Sequence, residues 1–270
     1  MQALAASCHP VPTVAVTVMS TVLVAAAGNR LWACVVAAAA VLTGQLSIGW
    51  SNDAIDASRD RRAGRTDKPV ARGDLSLRAV WVAAAMAVIA AVPLSLVLGW
   101  RSGLVQLSVV GWGWLYNWWL KSTPLSALPF LFAFGGLPAI GTLALPGHCW
   151  PPASTLAAAG LIGVAAHFAN VLPDLDDDRH TGVSGLPHRL GRAVASVVAV
   201  CAALAATLTV VAAEADGGPT ALWLLGGFAL VIGCAGLLAA RRHPRSDAAF
   251  HATMAIAATG VAMIVVSGGL

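Results

Sequence analysis

The sequence predicts an all-α, polytopic membrane protein with nine transmembrane helices around a central cavity. Hydrophobic residues make up 58% of the 270 positions and charged residues only 10%, whereas soluble domains carry about 25% charged residues. The mean hydropathy is +0.79, and the apolar residues are gathered into long runs separated by short polar connections. A chain with this composition is expected to lie in the bilayer and to leave no separate soluble domain.

Nine apolar runs are long enough to cross about 30 Å of hydrocarbon. They fall at residues 11–28, 31–51, 78–99, 103–120, 127–146, 154–172, 192–213, 220–240 and 248–267. Ala, Gly, Val and Leu dominate these runs, and such small side chains allow helices to pack closely in lipid. We therefore expect one transmembrane domain over residues 1–270, with cytoplasmic cap and active-site loops at residues 52–78 and 170–191.

The basic residues are distributed unevenly between the two ends of the predicted helices. Of the 16 Lys and Arg residues, only Arg30 and Arg101 fall in the connections after odd-numbered spans. Because basic loops remain on the cytoplasmic side of a membrane, the amino terminus and the other loops are expected in the cytoplasm. We expect a multi-pass protein of a bacterial-type cytoplasmic membrane, in contact with membrane lipid, with no nucleic-acid partner and no protein partner implied.

A cluster of carboxylates follows the second apolar run. On a helix that turns about 100° per residue, Asn52, Asp53, Asp56 and Asp60 all share one face. Like charges this close repel one another and are costly near a membrane, so a multivalent cation that neutralises them is expected. The alternative is a solvated loop in which neighbouring Arg residues balance the charge.

A second acidic stretch closes the sixth apolar run in the same way. If the helix continues, five side chains lie within about a third of a turn of one another, namely His167, Asn170, Asp174, Asp177 and Asp178. Asp176 points elsewhere, and Pro173 can kink the helix and shift its phase. Two clusters on the same side of the membrane favour a site over two solvated loops, and they would hold two or more Mg²⁺ ions.

The basic residues after the first cluster indicate an anionic ligand. Mg²⁺ is usually bound by one or two carboxylates together with substrate phosphates, and Lys or Arg completes the clamp. Lys68 and Arg72 lie between the two carboxylate clusters in the sequence, so we expect them to contact a diphosphate. The positive-inside rule alone explains most other basic residues of these loops.

With these motifs the chain resembles the UbiA superfamily of intramembrane prenyltransferases. Its NDxxDxxxD motif after helix two is matched by Asn52, Asp53, Asp56 and Asp60, and its DxxxD motif after helix six by Asp174 and Asp178. The resemblance covers the whole chain. It implies that the Asp residues bind Mg²⁺ and, through it, the diphosphate of an isoprenyl donor, under a cap formed by the charged stretch after the first motif.

The chain departs from the quinone-pathway members of this superfamily at two places. Lys68 stands where those members have an Arg, because their Asn-Arg-Pro-Leu stretch is replaced here by Asp-Lys-Pro-Val. Their Tyr and Lys on helix four are four residues apart, whereas Tyr116 and Lys121 are five apart. Five residues rotate Lys121 by about 140° from Tyr116 unless the helix ends between them.

The candidate site residues fall into three groups. The expected metal ligands are Asn52, Asp53, Asp56, Asp60, Asp174, Asp177 and Asp178. The expected substrate-binding residues are Asn52, Arg59, Lys68, Arg72, Asn170 and Trp118. The expected catalytic residues are Asp53, Asp56, Lys68, Arg72, Tyr116 and Lys121. Trp118 belongs to a group of Trp residues near Tyr116; most membrane Trp lie at the interface, but an indole face can also stabilise an allylic cation.

The predicted activity is Mg²⁺-dependent ionisation of an isoprenyl diphosphate followed by attack on the allylic cation inside the membrane. With a separate aromatic or lipid acceptor, the protein is a prenyltransferase. If the donor's own distal double bond attacks, the protein is a terpene cyclase, an activity known for some members of the superfamily. A non-catalytic cation carrier or channel ranks last, because the apolar runs offer almost no charges between the two membrane faces.

Overall fold

The structure is a computed structural model that describes residues 2–66, 68–173, 175, 182–214, 218–243, 248–268 and 270. These residues form nine helices of 17 to 32 residues, and no β-strand. The helices are α1 (Pro10–Ala26), α2 (Leu31–Arg62), α3 (Leu77–Val97), α4 (Trp100–Trp118), α5 (Leu128–Ala144), α6 (Ala153–Val171), α7 (Arg192–Ala213), α8 (Thr220–Arg242) and α9 (Ala248–Val266). Shorter helical segments are Gln2–Ala6, Pro69–Arg72, Leu120–Ser122 and Leu186–Leu190.

The helices occur where the apolar runs predict them, which confirms the all-α membrane fold. By length and composition, six of the described helices can cross a membrane: α2, α3, α6, α7, α8 and α9. Two shorter apolar helices, α1 and α5, have 17 residues each. The principal difference is the length of α2, which extends to Arg62 although its apolar run ends near residue 51.

The end of α2 explains that extension. After the apolar run, the first residue whose backbone interrupts the helix is Gly64, whose φ of 67° lies in the left-handed region. The Arg65 N–H donates to the Asp60 carbonyl over 3.0 Å and the Gly64 N–H donates to the Arg61 carbonyl over 3.3 Å, which is the Schellman arrangement. The polar residues from Asn52 onward therefore continue the helix and do not form a loop.

The chain forms two compact units. The first comprises Met1–Trp119 and Ala139–Cys149, and the second comprises Leu120–Pro138 and Trp150–Leu270. The division between the two units in α5 follows Pro138. The assignment of residues 1–270 to one domain around a central cavity remains a prediction.

The first unit is organised around α2, which packs against α1, α3 and α4. Ala37, Ala40 and Val41 on α2 are completely buried, as expected where small side chains let helices approach closely. Ser102 on α4 donates to the carbonyl of Ile140 on α5 over 2.7 Å, which satisfies a hydroxyl in an apolar environment. Helix α2 therefore supplies both the centre of this unit and the first acidic motif.

The second unit is built from α6, α7, α8 and α9. Ala165, Val200, Ala203, Ala229 and Ile256 form one buried apolar cluster that joins all four helices. A second cluster contains Phe168, Leu172 and Leu175 with residues of α7 and α9. Leu175 is completely buried, so it fixes the chain just beyond the end of α6 to this core.

Gly163 on α6 permits a close contact with α5. A Cβ atom at Gly163 would collide with the Phe130 carbonyl oxygen and would lie 2.7 Å from the Phe134 Cβ. We expect Gly163→Ala to destabilise the protein by about 1–3 kcal/mol, because backbone cannot move aside as a flexible side chain can. Thermal unfolding of the purified protein in detergent measures this effect.

Gly227 on α8 is the matched control, since no atom outside its own helical backbone lies within 4 Å of a Cβ placed there. Gly227→Ala should leave the melting temperature unchanged or raise it slightly, because Ala has the higher helix propensity. Equal melting temperatures for the two variants would contradict the close contact of α5 with α6.

Candidate active site

The three carboxylates of the first motif are buried on the last turns of α2. Asp53, Asp56 and Asp60 are 2%, 7% and 6% exposed, whereas Asn52 is half-buried. Burial of side chains at positions i, i+3 and i+7 is what a common helix face produces. A buried carboxylate is costly unless a cation or hydrogen-bond donor accompanies it, so the partners of these residues are informative.

Lys68 is the partner of Asp53. The Lys68 Nζ lies 2.7 Å from Asp53 Oδ1, and the two side chains are 15% and 1% exposed. Lys68 precedes the short helix Pro69–Arg72, to which the reversal at Gly64 leads. The structure thus brings together two residues that the sequence predicts to act at one site.

His9 also contacts this ion pair, and sequence reasoning missed it. Its Nε2 lies 2.9 Å from Lys68 Nζ and 3.1 Å from Asp53 Oδ1. A Lys ammonium has only donors and a carboxylate only acceptors, so the role of Nε2 follows the tautomer: it accepts from Lys68 when the imidazole hydrogen is on Nδ1, and it donates to Asp53 when the hydrogen is on Nε2. No local pattern signals this contact, because His9 precedes Asp53 by 44 residues.

Arg59 is shared by the other two carboxylates. Its Nη2 lies 2.7 Å from Asp56 Oδ2 and 3.7 Å from Asp60 Oδ1. The sequence predicts Arg59 as a substrate-binding residue, and in this structure its guanidinium group is shared by two expected metal ligands. All three carboxylates of the motif therefore have a cationic side chain within 4 Å.

A hydrogen-bond chain from α4 orients Asn52. The Asn52 side-chain amide donates to Asn117 Oδ1 over 3.2 Å. The Asn117 amide donates in turn to the Ile48 carbonyl over 2.8 Å and to Ser51 Oγ over 3.0 Å. Because its own nitrogen is engaged with Asn117, Asn52 can offer its Oδ1 to a ligand. The sequence reasoning did not identify Asn117, although it lies between two expected site residues, Tyr116 and Trp118.

The remaining expected residues of the first unit are Arg72, Tyr116 and Trp118. Arg72 donates to the Thr66 carbonyl over 3.0 Å and pairs with Asp74. Tyr116 is half-buried on α4, whereas the side chain of Trp118 is largely exposed at 79%. The roles predicted for these side chains remain predictions.

Lys121 lies beyond the end of α4. This helix ends at Trp118, and Lys121 is half-buried in the 3-10 turn Leu120–Ser122 of the second unit. The helix therefore ends between Tyr116 and Lys121, so the 140° rotation expected for a continuous helix does not apply. The catalytic role of Lys121 remains a prediction.

The second acidic motif begins where α6 ends. This helix stops at Val171, Leu172 and Pro173 form a turn, and Asn170 is exposed. Arg192 Nη1 donates to the Leu172 carbonyl over 2.7 Å and so holds the end of the helix. The expected metal ligands Asp174, Asp177 and Asp178, and also Asp176, lie outside the described residues.

His167 contributes to the packing of the same unit. Its ring is 1% exposed and lies 4.8 Å from the ring of Phe130, centroid to centroid. Ser126 Oγ lies 3.0 Å from His167 Nε2 and accepts from the Leu186 N–H over 2.8 Å. His167 therefore connects α6 to the segment that follows the second acidic motif, and it does not share the exposure of Asn170.

A divalent cation fits the first motif. Asp53 Oδ2 is buried and has no hydrogen-bond partner among the described residues, and the Asp56 and Asp60 carboxylates already share one cationic group. Within the part of the chain that the structure describes, no three His, Cys, Asp or Glu side chains converge as metal ligands. Fewer than three protein ligands suffice for Mg²⁺, which usually binds one or two carboxylates and completes its coordination shell with phosphate oxygens and water.

Comparison with known proteins identifies the family. A family model described as the UbiA prenyltransferase family matches residues 11–258. A search of curated proteins finds no significant match.

The solved structures that are similar to this chain include the following three. A structure reported for digeranylgeranylglyceryl phosphate synthase in membranes has a TM-score of 0.75 at 13% identity, covering 99% of this chain and 98% of that one. A UbiA homologue from Archaeoglobus fulgidus bound to GPP and Mg²⁺ has a TM-score of 0.74 at 13% identity, covering 98% and 99%. An apo UbiA homologue from Aeropyrum pernix K1 has a TM-score of 0.73 at 21% identity, covering 93% and 97%.

At these identities the structural similarity establishes the fold, and the family model establishes the relationship over most of the sequence. The carboxylate motif at the end of α2 lies inside the matched range. The chain belongs to the UbiA prenyltransferase family.

Proposed function

We propose that the protein is a Mg²⁺-dependent intramembrane transferase that ionises an isoprenyl diphosphate and transfers the prenyl group to an aromatic or lipid acceptor. The observation that supports this most directly is the Lys68–Asp53 ion pair beside Asp56 and Asp60 at the end of a membrane helix. Clustered carboxylates with an adjacent ammonium group suit a metal–diphosphate ligand. The similar structure from Archaeoglobus fulgidus, bound to GPP and Mg²⁺, supports the same ligand class.

The side chains of the first motif and Lys68 have distinct roles in this proposal. Asn52, Asp53, Asp56 and Asp60 would hold Mg²⁺, which supplies Lewis-acid stabilisation of the departing diphosphate when bound. Lys68 would donate a hydrogen bond to the leaving diphosphate, since an ammonium group has three donors and Asp53 and His9 engage two of them. The apolar helices keep water from the allylic cation, so that the acceptor and not water attacks.

The donor class and the fate of the prenyl group are tested in one experiment. Purified protein is incubated with Mg²⁺ and isoprenyl diphosphates of several lengths, with and without aromatic and lipid acceptors, and the products are identified by mass spectrometry. Prenylated acceptor supports the transferase. A cyclic hydrocarbon formed without acceptor would instead assign the alternative, terpene cyclisation with release of diphosphate, and no diphosphate release under any condition would refute both.

We expect the first motif and the loop after it to face the cytoplasm. In a background without the native cysteines, Thr66→Cys should react with a membrane-impermeant thiol reagent only from the cytoplasmic side. Cys149, which is exposed in the connection between α5 and α6, is the matched position expected on the opposite side when restored alone. Labelling of position 66 from outside would remove the proposed access to cytoplasmic diphosphates.

We expect Asp56→Ala and Asp174→Ala each to lower turnover by about a hundredfold or more, because each removes a proposed ligand of the metal that stabilises the leaving group. Diphosphate release measures the effect, and size-exclusion chromatography checks folding. Glu214→Ala, at the end of α7, is the charge-matched control and should retain activity. Asp176→Ala should have a smaller effect than Asp174→Ala, because Asp176 is not part of the DxxxD match; equal damage would contradict the choice of Asp174 over Asp176 as a ligand.

Lys68→Ala should mainly lower kcat, by about ten- to a hundredfold, because its charge matters most when the leaving group has become more negative. Arg72→Ala is predicted to act in the same direction. Arg62 is exposed at the end of α2, and Arg62→Ala serves as the control for general loss of positive charge. If kcat were unchanged in these variants, and only the half-saturation concentration rose and depended on salt, Lys68 and Arg72 would recruit the substrate electrostatically and would not be catalytic residues.

A further inference from the structure

The amino-terminal segment is fixed to the helix that carries the first acidic motif. Trp50 Nε1 donates to the Leu4 carbonyl over 2.9 Å. One residue earlier, Gly49 lies so close to the backbone of Cys8 that a Cβ would collide with the Cys8 carbonyl oxygen and lie 2.6 Å from its carbon. The segment before α1 therefore packs directly on α2, one turn before Asp53.

The backbone at the end of this segment directs one side chain toward the motif. His9 precedes α1 and has a φ of 54°, in the left-handed region that non-glycine residues seldom adopt. Thr13 Oγ1 donates to the Cys8 carbonyl over 2.9 Å, which helps to hold the turn. Unusual backbone conformations persist where the surroundings fix them, and they are frequent at functional sites.

The His9 ring and Asp53 together hold the Lys68 ammonium group. In the tautomer with its hydrogen on Nδ1, His9 accepts through Nε2 from Lys68 over 2.9 Å, while Asp53 Oδ1 accepts from the same ammonium over 2.7 Å. Two fixed acceptors restrict a side chain that has four rotatable bonds and that otherwise loses much entropy when it is ordered. One ammonium donor then remains for a third acceptor.

We propose that His9 is a positioning residue that fixes the Lys68 ammonium group for contact with the leaving diphosphate. This inference rests on the proposed function for the role of Lys68, but the contact itself can be tested without turnover. In this arrangement the amino-terminal segment contributes to the site through Lys68, although both acidic motifs lie elsewhere in the sequence.

The first test measures the reactivity of Lys68 with an amine-acylating reagent by mass spectrometry. The chain has only two lysines, so Lys121 serves as the internal reference in the same sample. His9→Gly should raise the acylation rate of Lys68 relative to Lys121 by about 2- to 10-fold, the effect of losing one hydrogen bond. His9→Gln, whose side-chain carbonyl can accept from Lys68, should restore most of the protection. An unchanged Lys68 rate in His9→Gly would overturn the proposal.

His148→Gly is the matched control, because His148 is also a histidine with positive φ, 49°, and it bonds the Leu143 carbonyl instead. It should leave the Lys68 rate unchanged. Glycine tolerates positive φ, so His9→Gly is expected to fold; His9→Ala is a second variant with the same expected direction. A Lys68 rate raised equally by His148→Gly would also overturn the proposal, since the effect would then be global loosening.

The second test is a double-mutant cycle on turnover. If His9 acts through Lys68, His9→Gly should lower kcat more than it raises KM, and His9→Gly combined with Lys68→Ala should be no slower than Lys68→Ala alone. If the loss of kcat in the double variant equalled the product of the two single losses, His9 would act independently of Lys68, and the positioning role would be overturned. If His9→Gly changed the acylation rate of Lys68 but not kcat, the contact would stand and the proposed catalytic function of Lys68 would be refuted. Failure of the contact and failure of the proposed function are therefore distinguishable.

Discussion

The structure of the first unit depends on the cationic partners of three buried carboxylates at the end of a membrane helix. Asp53, Asp56 and Asp60 are each at most 7% exposed, a position that unpaired carboxylates cannot occupy without a large loss of solvation energy. Lys68 pairs with the first, and the single guanidinium group of Arg59 is shared by the other two. Removal of either cationic side chain would leave a buried carboxylate without a cationic partner. These pairs therefore constrain both the path of the chain and the chemistry of the site.

That requirement accounts for the local architecture. The Schellman arrangement at Gly64 ends α2 and reverses the chain. Lys68 is thereby brought back to the helix turn that carries Asp53, 15 residues earlier in the sequence. The amino-terminal segment packs on the same helix through Gly49 and Trp50, and Asn117 orients Asn52 from α4. Polar contacts from three separate parts of the chain therefore converge on the last turns of α2.

The sequence predicts the features that depend on local pattern. Apolar runs locate the helices because hydrocarbon thickness sets their length, and the spacing of Asp53, Asp56 and Asp60 predicts their common buried side. The apolar run underestimates the length of α2, because the hydropathy falls at Asn52 whereas the helix continues to Arg62. The contacts of His9 and Asn117 could not be predicted, because they join residues 44 and 65 positions apart with no repeat or motif to connect them.

The central claim is that the carboxylates at the end of α2 bind a diphosphate through a divalent cation. Isothermal titration of the purified protein with inorganic diphosphate, in Mg²⁺ and separately in a chelator, tests this directly and needs no acceptor. Because diphosphate and carboxylates repel each other, binding should occur with Mg²⁺, be lost in chelator, and be strongly weakened in Asp56→Ala. Equal affinity with and without Mg²⁺ would contradict the account, since the ligand would then be held by the basic residues alone.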